Sequence, residues 1–337
     1  MYGLDASNLT SYLEAHVADF HGPIRIEKFS QGQSNPTYRI ETPSGSFVLR
    51  RKPTGVLLKS AHAIDREFRV ISALGATDVP VPEAHHLCTD ESVIGSWFYI
   101  MEYVEGTVFP DPALPGLTPT QRARIYDEAN RVLAAIHAVD IEAAGLSDFG
   151  KAGNYYARQV SRWTKQYRAS ETQRIEDMET LIEWLPEHIP PEDGRVSLIH
   201  GDYRLDNLIF STDELNVAAV LDWELSTLGH PIADLAYLCM QRRMKTDQAI
   251  PGLHGLDLEL LGIPNEPDFL ASYCHRIELD NVEPWSFYLA CSFFRLAAIC
   301  QGVLKRALDG NASSDRAAEL GTMVSPLAAL GADAIRI

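Results

Sequence analysis

Several function classes leave no trace in this sequence. Its five cysteines (Cys88, Cys239, Cys274, Cys291, Cys300) are scattered and form no C-x-x-C pair. That argues against a disulfide framework or a zinc knuckle and fits reduced thiols in a cytosolic-type compartment, so a cytoplasmic location is expected. Basic residues are the minority, 29 against 46 acidic, for a net charge of −17 with no Lys/Arg run. Nucleic-acid binding needs a basic face, so no nucleic-acid partner is expected. The start, "MYGLDASNLTSYLEAHVADF", carries acids and lacks a basic stretch followed by an apolar core. No signal peptide is expected there. One long apolar run exists, "SFYLACSFFRLAAICQGVL" at 286–304, with Arg295 at its centre. A charge at mid-membrane costs about 2.5–3.5 kcal/mol, so the run reads as a buried helix and no membrane partner is expected. Internal repeats, low-complexity segments and a G-x-G-x-x-G loop are all missing.

What remains is an ordinary globular composition, 46% apolar and 22% charged, in 337 residues. That length is natural for two lobes. The charge is uneven: −3 over residues 1–104 and −14 over 105–337. The acidic second part either attracts a cationic substrate or is a solvated surface.

The first part alternates. In "IRIEKFSQGQSNPTYRIETPSGSFVLRRKP", Ile24, Ile26, Phe29, Tyr38 and Ile40 keep a period of two, and "TPSGS" makes a turn, which predicts two or three antiparallel strands. A helix is predicted over 57–74, with Ala61, Ile64, Phe68, Ile71 and Leu74 in one stripe and Glu67 at its edge. "WFYIMEYV" reads as a strand, and the boundary between lobes 1–105 and 106–337 is placed after it. The rest is mostly helical. Thr118, Pro119 and Gln121 form a capping box before one helix, and further helical runs lie near 154–169 and 172–185. Three short apolar strands interrupt them: "VSLIH", "NLIF" and "VAAVLD".

Those strands bracket the chemistry. Asp202 follows the first, Asn207 begins the second and Asp222 ends the third. A hairpin of the last two brings Asn207 and Asp222 together, as hard oxygen ligands suited to Mg²⁺ on phosphates. A nearby carboxylate without a metal can accept a hydroxyl proton, the division of labour in kinase-type phosphoryl transfer. Asp206 reads as a turn residue, His200 as a buried brace, Tyr203 as packing, and Glu224 as either a second metal or substrate contact or a solvent-facing side chain.

"HGDYRLDN" followed by "LDWE" resembles the catalytic and metal-binding loops of the aminoglycoside phosphotransferase-like kinases, small-molecule relatives of protein kinases with H-R-D-x-x-x-x-N and D-F-G. His230, Pro231 and Asp234 look like that family too, where the Asp braces the catalytic loop. "FSQGQSNPTYRI", "FVLR", Glu67 and "YIMEYVEG" fall in the family's order, so the resemblance covers about residues 25–240. It implies an α+β, protein-kinase-like fold of two lobes: an antiparallel β N-lobe with one helix, and a mostly helical C-lobe. It implies an ATP-dependent (or other NTP-dependent) kinase using Mg²⁺ and acting on a small-molecule hydroxyl. Asp202 would be the base, Asn207 and Asp222 the metal ligands, and Arg204 would stand where protein kinases often carry a Lys on the γ-phosphate. Backbone N–H groups of Gly32, Gln33 and Ser34 would cap the phosphates. The Glu102 carbonyl and the Val104 N–H would pair with adenine, and Met101 would line its pocket.

The expected N-lobe Lys is replaced by Arg50, a planar fork rather than a point charge. Arg50 could bridge Glu67 and the α/β-phosphates, with Lys52 two residues on as the other candidate. "VLRRKPTG" and "SAHAIDREFRVISALG" look most like the kinase-like domain found joined to, or acting beside, acyl-CoA dehydrogenases. That implies a hydroxyacyl-CoA acceptor and a functional link to such a dehydrogenase. Arg158, Arg162, Lys165 and Arg168 are then candidates for its phosphates, or else a solvated helix face. The competing readings are an aminoglycoside or amino-alcohol O-phosphotransferase, and a nucleotide-binding pseudokinase without turnover.

Overall fold

The computed structural model describes residues 4–29, 35–53, 63–310 and 317–336. The N-terminal lobe is built on a five-stranded antiparallel sheet, in the order β1-β2-β3-β5-β4. Its strands are β1 (Arg25–Lys28), β2 (Thr37–Thr42), β3 (Gly45–Arg51), β4 (Ala84–Cys88) and β5 (Phe98–Glu102). Alternation along β3 assigns its faces. Val48 belongs to the large core that continues into the second lobe, and Leu49 to a smaller core on the sheet's far side.

Each face is covered by helix. α2 (Ile64–Leu74) packs its stripe of Ile64, Val70, Ile71 and Leu74 on the inner face. The outer face is closed by α1 (Ala6–His16) and the short α3 (Glu91–Ile94), through Leu9, Leu13, Val93 and Ile94. Among the described residues the expected helix is therefore joined by two others. A sheet with apolar residues on both faces must bury both, and α1 supplies the second cover. The described part of α2 starts at Ile64, so the expected stretch 57–62 and Ala61 lie outside the described residues.

After β5 the chain crosses to the helical lobe. Thr107 and Phe210 exchange backbone hydrogen bonds of 2.8 and 2.9 Å. Gly106 is required there: a Cβ would collide with the Phe210 carbonyl and the Ile209 side chain. The lobe contains α4 (Pro119–His137), α5 (Tyr155–Ser170), α6 (Glu176–Glu187), α7 (Ile232–Met240), α8 (Leu258–Leu261), α9 (Glu266–Arg276), α10 (Trp285–Leu308), α11 (Ala317–Gly321) and α12 (Val324–Ala334). The capping box of α4 is present, with Thr118 N–H donating to Gln121 Oε1 at 2.9 Å and Gln121 N–H to Thr118 Oγ1 at 3.3 Å. α6 begins four residues later than the sequence pattern suggested, after Ile175.

α10 is the apolar run of the sequence. It is long and apolar enough to cross a membrane, but 83% of its most apolar window is buried inside this fold. It packs against α5, α7 and α12 as the central helix of the lobe. All five cysteines are buried and unpaired. Two small two-stranded sheets complete the lobe: β6 (Ser197–Ile199) with β9 (Thr227–Gly229), and β7 (Leu208–Phe210) with β8 (Val217–Val220).

Candidate active site

The loop between β6 and β7 is held almost entirely through its backbone. His200 and Gly201 N–H groups donate to the two oxygens of Asp234 at 2.6 and 2.8 Å. Asp234 is fully buried and also meets His137 Nε2 at 3.3 Å. Gly201 takes φ +84°, and a Cβ there would sit 2.6 Å from the Leu225 carbonyl oxygen, so only glycine fits. Asp202 N–H then donates to His200 Nδ1 at 3.1 Å, and Asn207 Nδ2 returns to the Asp202 carbonyl at 2.8 Å and to its carboxylate at 3.2 Å. His200 Nε2 reaches the Leu221 carbonyl at 2.7 Å, tying this loop to the one that carries Asp222.

Removing Asp234 orphans two buried N–H donors and breaks the contact with His137. Asp234→Ala is expected to lower stability by about 3–5 kcal/mol, read as a shift in the denaturant midpoint, and to lower turnover through loss of the loop's shape.

The Asp202 carboxylate is 23% exposed. Burial alone would raise its pKa. The neighbouring Arg204, His200 and Arg295 and a hydrogen bond from Tyr237 outweigh that and hold it below the ordinary carboxylate value, so it is ionised at neutral pH. Arg204 Nε lies 3.6 Å from Asp202 Oδ1, and its Nη2 donates to Asp206 Oδ2 at 2.6 Å. Asp206 is therefore more than a turn residue, since it orients Arg204 beside Asp202.

Asn207 closes a 3₁₀ turn (Leu205–Asn207) rather than beginning the strand. Its side chain folds back on Asp202, and pairing starts one residue later with Leu208 opposite Val220. The hairpin still brings the two loops together, because Leu221 N–H donates to the Asn207 carbonyl at 2.8 Å. Asp222 follows in a left-handed conformation, φ +62°. A non-glycine residue there is strained, and such strain collects at functional sites.

From the other lobe, Arg50 reaches into the same place. Its Nε donates to Glu67 Oε2 at 2.9 Å and its Nη2 to Asp222 Oδ1 at 2.6 Å, with Glu224 Oε2 3.8 Å away. The side chains of Arg50 and Glu67 are 10% and 1% exposed. Burial pushes Glu67 up to about 7. Arg50 pulls it the other way, while Asp222 and Glu224 add to the rise. Burial works against the Arg50 charge, but Glu67 and Asp222 overcome it and hold the guanidinium fully protonated. Lys52 is not the partner: its Nζ lies 5.9 Å above the Trp97 ring. Glu224 faces Arg50 rather than open solvent.

The remaining predicted residues divide. Met101 is buried in the inner core on β5. Glu102 N–H, not the carbonyl expected to meet adenine, donates to the Glu83 carbonyl at 2.8 Å. Val104, just past the strand, has a backbone N–H with no hydrogen-bond partner among the described residues. Gly32, Gln33 and Ser34 lie outside the described residues. On α5, Arg168 is committed to Glu179 at 2.6 Å and Glu171 at 3.2 Å, whereas Arg158, Arg162 and Lys165 pair with no carboxylate among the described residues. Those three line an open groove of about 750 Å³ with Ala157, Ser161 and Gln166.

Residues 25–267 match the model of the phosphotransferase enzyme family. The chain belongs to that family. It is 50% identical to mouse acyl-CoA dehydrogenase family member 10 over 313 residues, which are 93% of this chain and 29% of that protein. The chain thus spans under a third of that relative's length. A crystal structure from Ralstonia eutropha JMP134 that carries the name of an aminoglycoside phosphotransferase is 50% identical, with a TM-score of 0.90 over 98% of both chains. Spectinomycin phosphotransferase, solved with ADP and spectinomycin, shares the fold at 13% identity, with a TM-score of 0.65 over 99% of both chains. The protein-kinase-like, two-lobed α+β fold of small-molecule phosphotransferases is therefore this chain's fold.

Arg295 was noticed in the sequence only as an obstacle to a membrane span. In the structure its Nη2 donates to the Gly201 carbonyl, next to Asp202. Its sequence signal is a lone charge in the apolar run 286–304.

Proposed function

We propose that this phosphotransferase moves the γ-phosphoryl group of ATP to the hydroxyl of a small molecule, with Asp202 as base. The observation that carries this reading is the Glu67–Arg50–Asp222 contact across the two lobes beside the Asp202–Asn207 contact, the two loops being joined by the Leu221–Asn207 backbone hydrogen bond. A pseudokinase has no need to keep both sets of contacts.

The donor set fits a hard cation. Asn207 Nδ2 is spent on Asp202, which leaves Asn207 Oδ1 without a partner among the described residues, and Asp222 uses one oxygen on Arg50. Asn207 and Asp222 would hold Mg²⁺, which when bound neutralises charge on the β- and γ-phosphates. Asp202 accepts the proton of the acceptor hydroxyl as its oxygen bonds to the γ-phosphorus and the bond to the ADP oxygen breaks. Arg204 stands 3.6 Å from Asp202, a position from which its charge acts on the phosphoryl group in transit. Val104 N–H, without a partner among the described residues, would be free to meet an adenine nitrogen.

Within this class we favour a hydroxyacyl-CoA as acceptor, acting in concert with an acyl-CoA dehydrogenase. The name of the mouse relative supports it, as do Arg158, Arg162 and Lys165 of α5, which meet no carboxylate among the described residues. A CoA phosphate seated on Arg158 and Arg162 makes charge-assisted contacts that bind ground and transition states alike. Arg158→Ala with Arg162→Ala is expected to raise KM for a hydroxyacyl-CoA about tenfold or more, with kcat little changed. An amino-alcohol acceptor is the second reading, favoured by the spectinomycin complex of the fold relative and the −14 charge of residues 105–337. ATP consumption against a panel of hydroxyacyl-CoAs, aminoglycosides, choline and hydroxy amino acids separates the two. No turnover with any of them, alongside nucleotide binding indifferent to Mg²⁺, would leave the pseudokinase standing.

A further inference from the structure

Arg295 lies in the middle of α10, with Phe293, Phe294, Leu296 and Ala297 buried around it. Among the described residues no carboxylate is paired with it and its buried Nε has no hydrogen-bond partner. A side chain placed only for packing would be Leu or Met here, because a charge withdrawn from water wants a counterion. Its guanidinium instead sits 5.6 Å from the Trp163 ring centre on α5 and 5.1 Å from that of Tyr237 on α7, and donates to the Gly201 carbonyl.

That carbonyl belongs to the peptide joining Gly201 to Asp202. The N–H groups before it are fixed by Asp234, the Asp202 N–H by His200, and the Asp202 carbonyl by Asn207. The Gly201 carbonyl sits between these fixed groups, and glycine at φ +84° gives the peptide little steric restraint of its own. Tyr237 links the same side chain to the carboxylate: its ring flanks Arg295, and its hydroxyl acts on Asp202 as a hydrogen-bond donor.

We propose that Arg295 is a positioning residue for phosphoryl transfer, its guanidinium clamping the Gly201–Asp202 peptide so that the Asp202 carboxylate is aimed at the acceptor hydroxyl. The inference rests on the assignment of Asp202 as base. The long-range pairing of α10 with this loop, 94 residues apart, makes the C-terminal helices part of the catalytic machinery rather than only its support.

The test uses the full chain with Arg295→Met, Arg295→Lys, Asp202→Asn and the double variant Arg295→Met/Asp202→Asn. Turnover is followed with a hydroxyacyl-CoA as acceptor and, without any assumed acceptor, as phosphate released from MgATP to water. Misplacing a catalytic group by about 1 Å costs on the order of 10²-fold, so Arg295→Met is expected to lose about 10–100-fold in kcat. KM for MgATP should stay within about twofold, and Arg295→Lys should recover part of the loss. In the Asp202→Asn background the methionine should cost nothing further, since it acts through the carboxylate. Undiminished kcat in Arg295→Met, beside an impaired Asp202→Asn, overturns the positioning role alone. So does an equal loss in both backgrounds. Undiminished turnover in Asp202→Asn overturns the base assignment and this inference with it. Should the methionine variant not fold, Arg295→Lys carries the same comparisons.

Discussion

Asp202→Asn is expected to lower turnover by about 10²–10⁴-fold while leaving KM for MgATP close to that of the wild type. Asparagine has nearly the same shape, and the loop is held by groups that survive the change. The Asp202 N–H stays on His200, its carbonyl stays on Asn207, and Asp234 keeps the N–H groups of His200 and Gly201. What disappears is the proposed proton acceptor and the negative charge that faces Arg204 and Arg295. The loss should therefore appear in kcat, with little change in melting temperature. Steady-state kinetics with varied MgATP and a thermal melt of the same preparation make the comparison. Turnover within about twofold of wild type would remove Asp202 from the base role.

Because its neighbours hold the Asp202 pKa below the ordinary carboxylate value, the carboxylate is already ionised well below neutral pH. A strongly basic group is not what the site offers. As the proposed base it would contribute a fixed, ionised acceptor that orients the hydroxyl and takes up the proton late, which suits the loose transition state of phosphoryl transfer.

Much of this was written in local sequence. Asp202, Asn207 and Asp222 are bracketed by three apolar strands of three or four residues, and short strands with a tight turn place side chains by counting. The Arg50–Glu67 contact was also legible, since a strand position and a helix-stripe edge seventeen residues apart leave few geometries open. Other features were beyond a local reading. Alternation in β3 announces two buried faces but cannot say which segment covers the second one, so α1 went unassigned to the sheet. Asp206 looked like a turn residue because its partner Arg204 lies only two positions away, and the direction of a side chain in a 3₁₀ turn depends on the turn forming. Arg295 is bound to its partner by the packing of α10 against α7, a contact made by tertiary structure alone.

Arg50→Met is expected to cost about 3–5 kcal/mol of stability and to reduce kcat/KM for MgATP by at least about 10²-fold. The stability loss follows from what the guanidinium neutralises. Glu67 is 1% exposed and has Arg50 as its partner at 2.9 Å, and Asp222 shares the same fork at 2.6 Å. Methionine fills the volume but leaves both carboxylates facing each other and Glu224. Protonation of Glu67 partly relieves this. Its pKa is already raised to about 7, and loss of the opposing pull from Arg50 raises it further. A carboxylate whose folded value lies above its unfolded value binds the extra proton in the folded state, so stability falls as pH rises through the folded value. The variant's deficit should accordingly be smaller near pH 6 than near pH 8, as denaturant titrations at the two pH values would reveal; a deficit that shrinks toward pH 8 would contradict the placement of Glu67. Arg50→Lys separates charge from geometry. Lysine keeps the positive charge, yet a single ammonium cannot reproduce the fork that donates from Nε to one carboxylate and from Nη2 to the other. Intermediate stability with weakened MgATP use is the expected result, because the ammonium must choose between Glu67 and Asp222. If lysine instead matches the wild type in both, the fork is dispensable and the substitution of arginine for the usual lysine carries no function of its own.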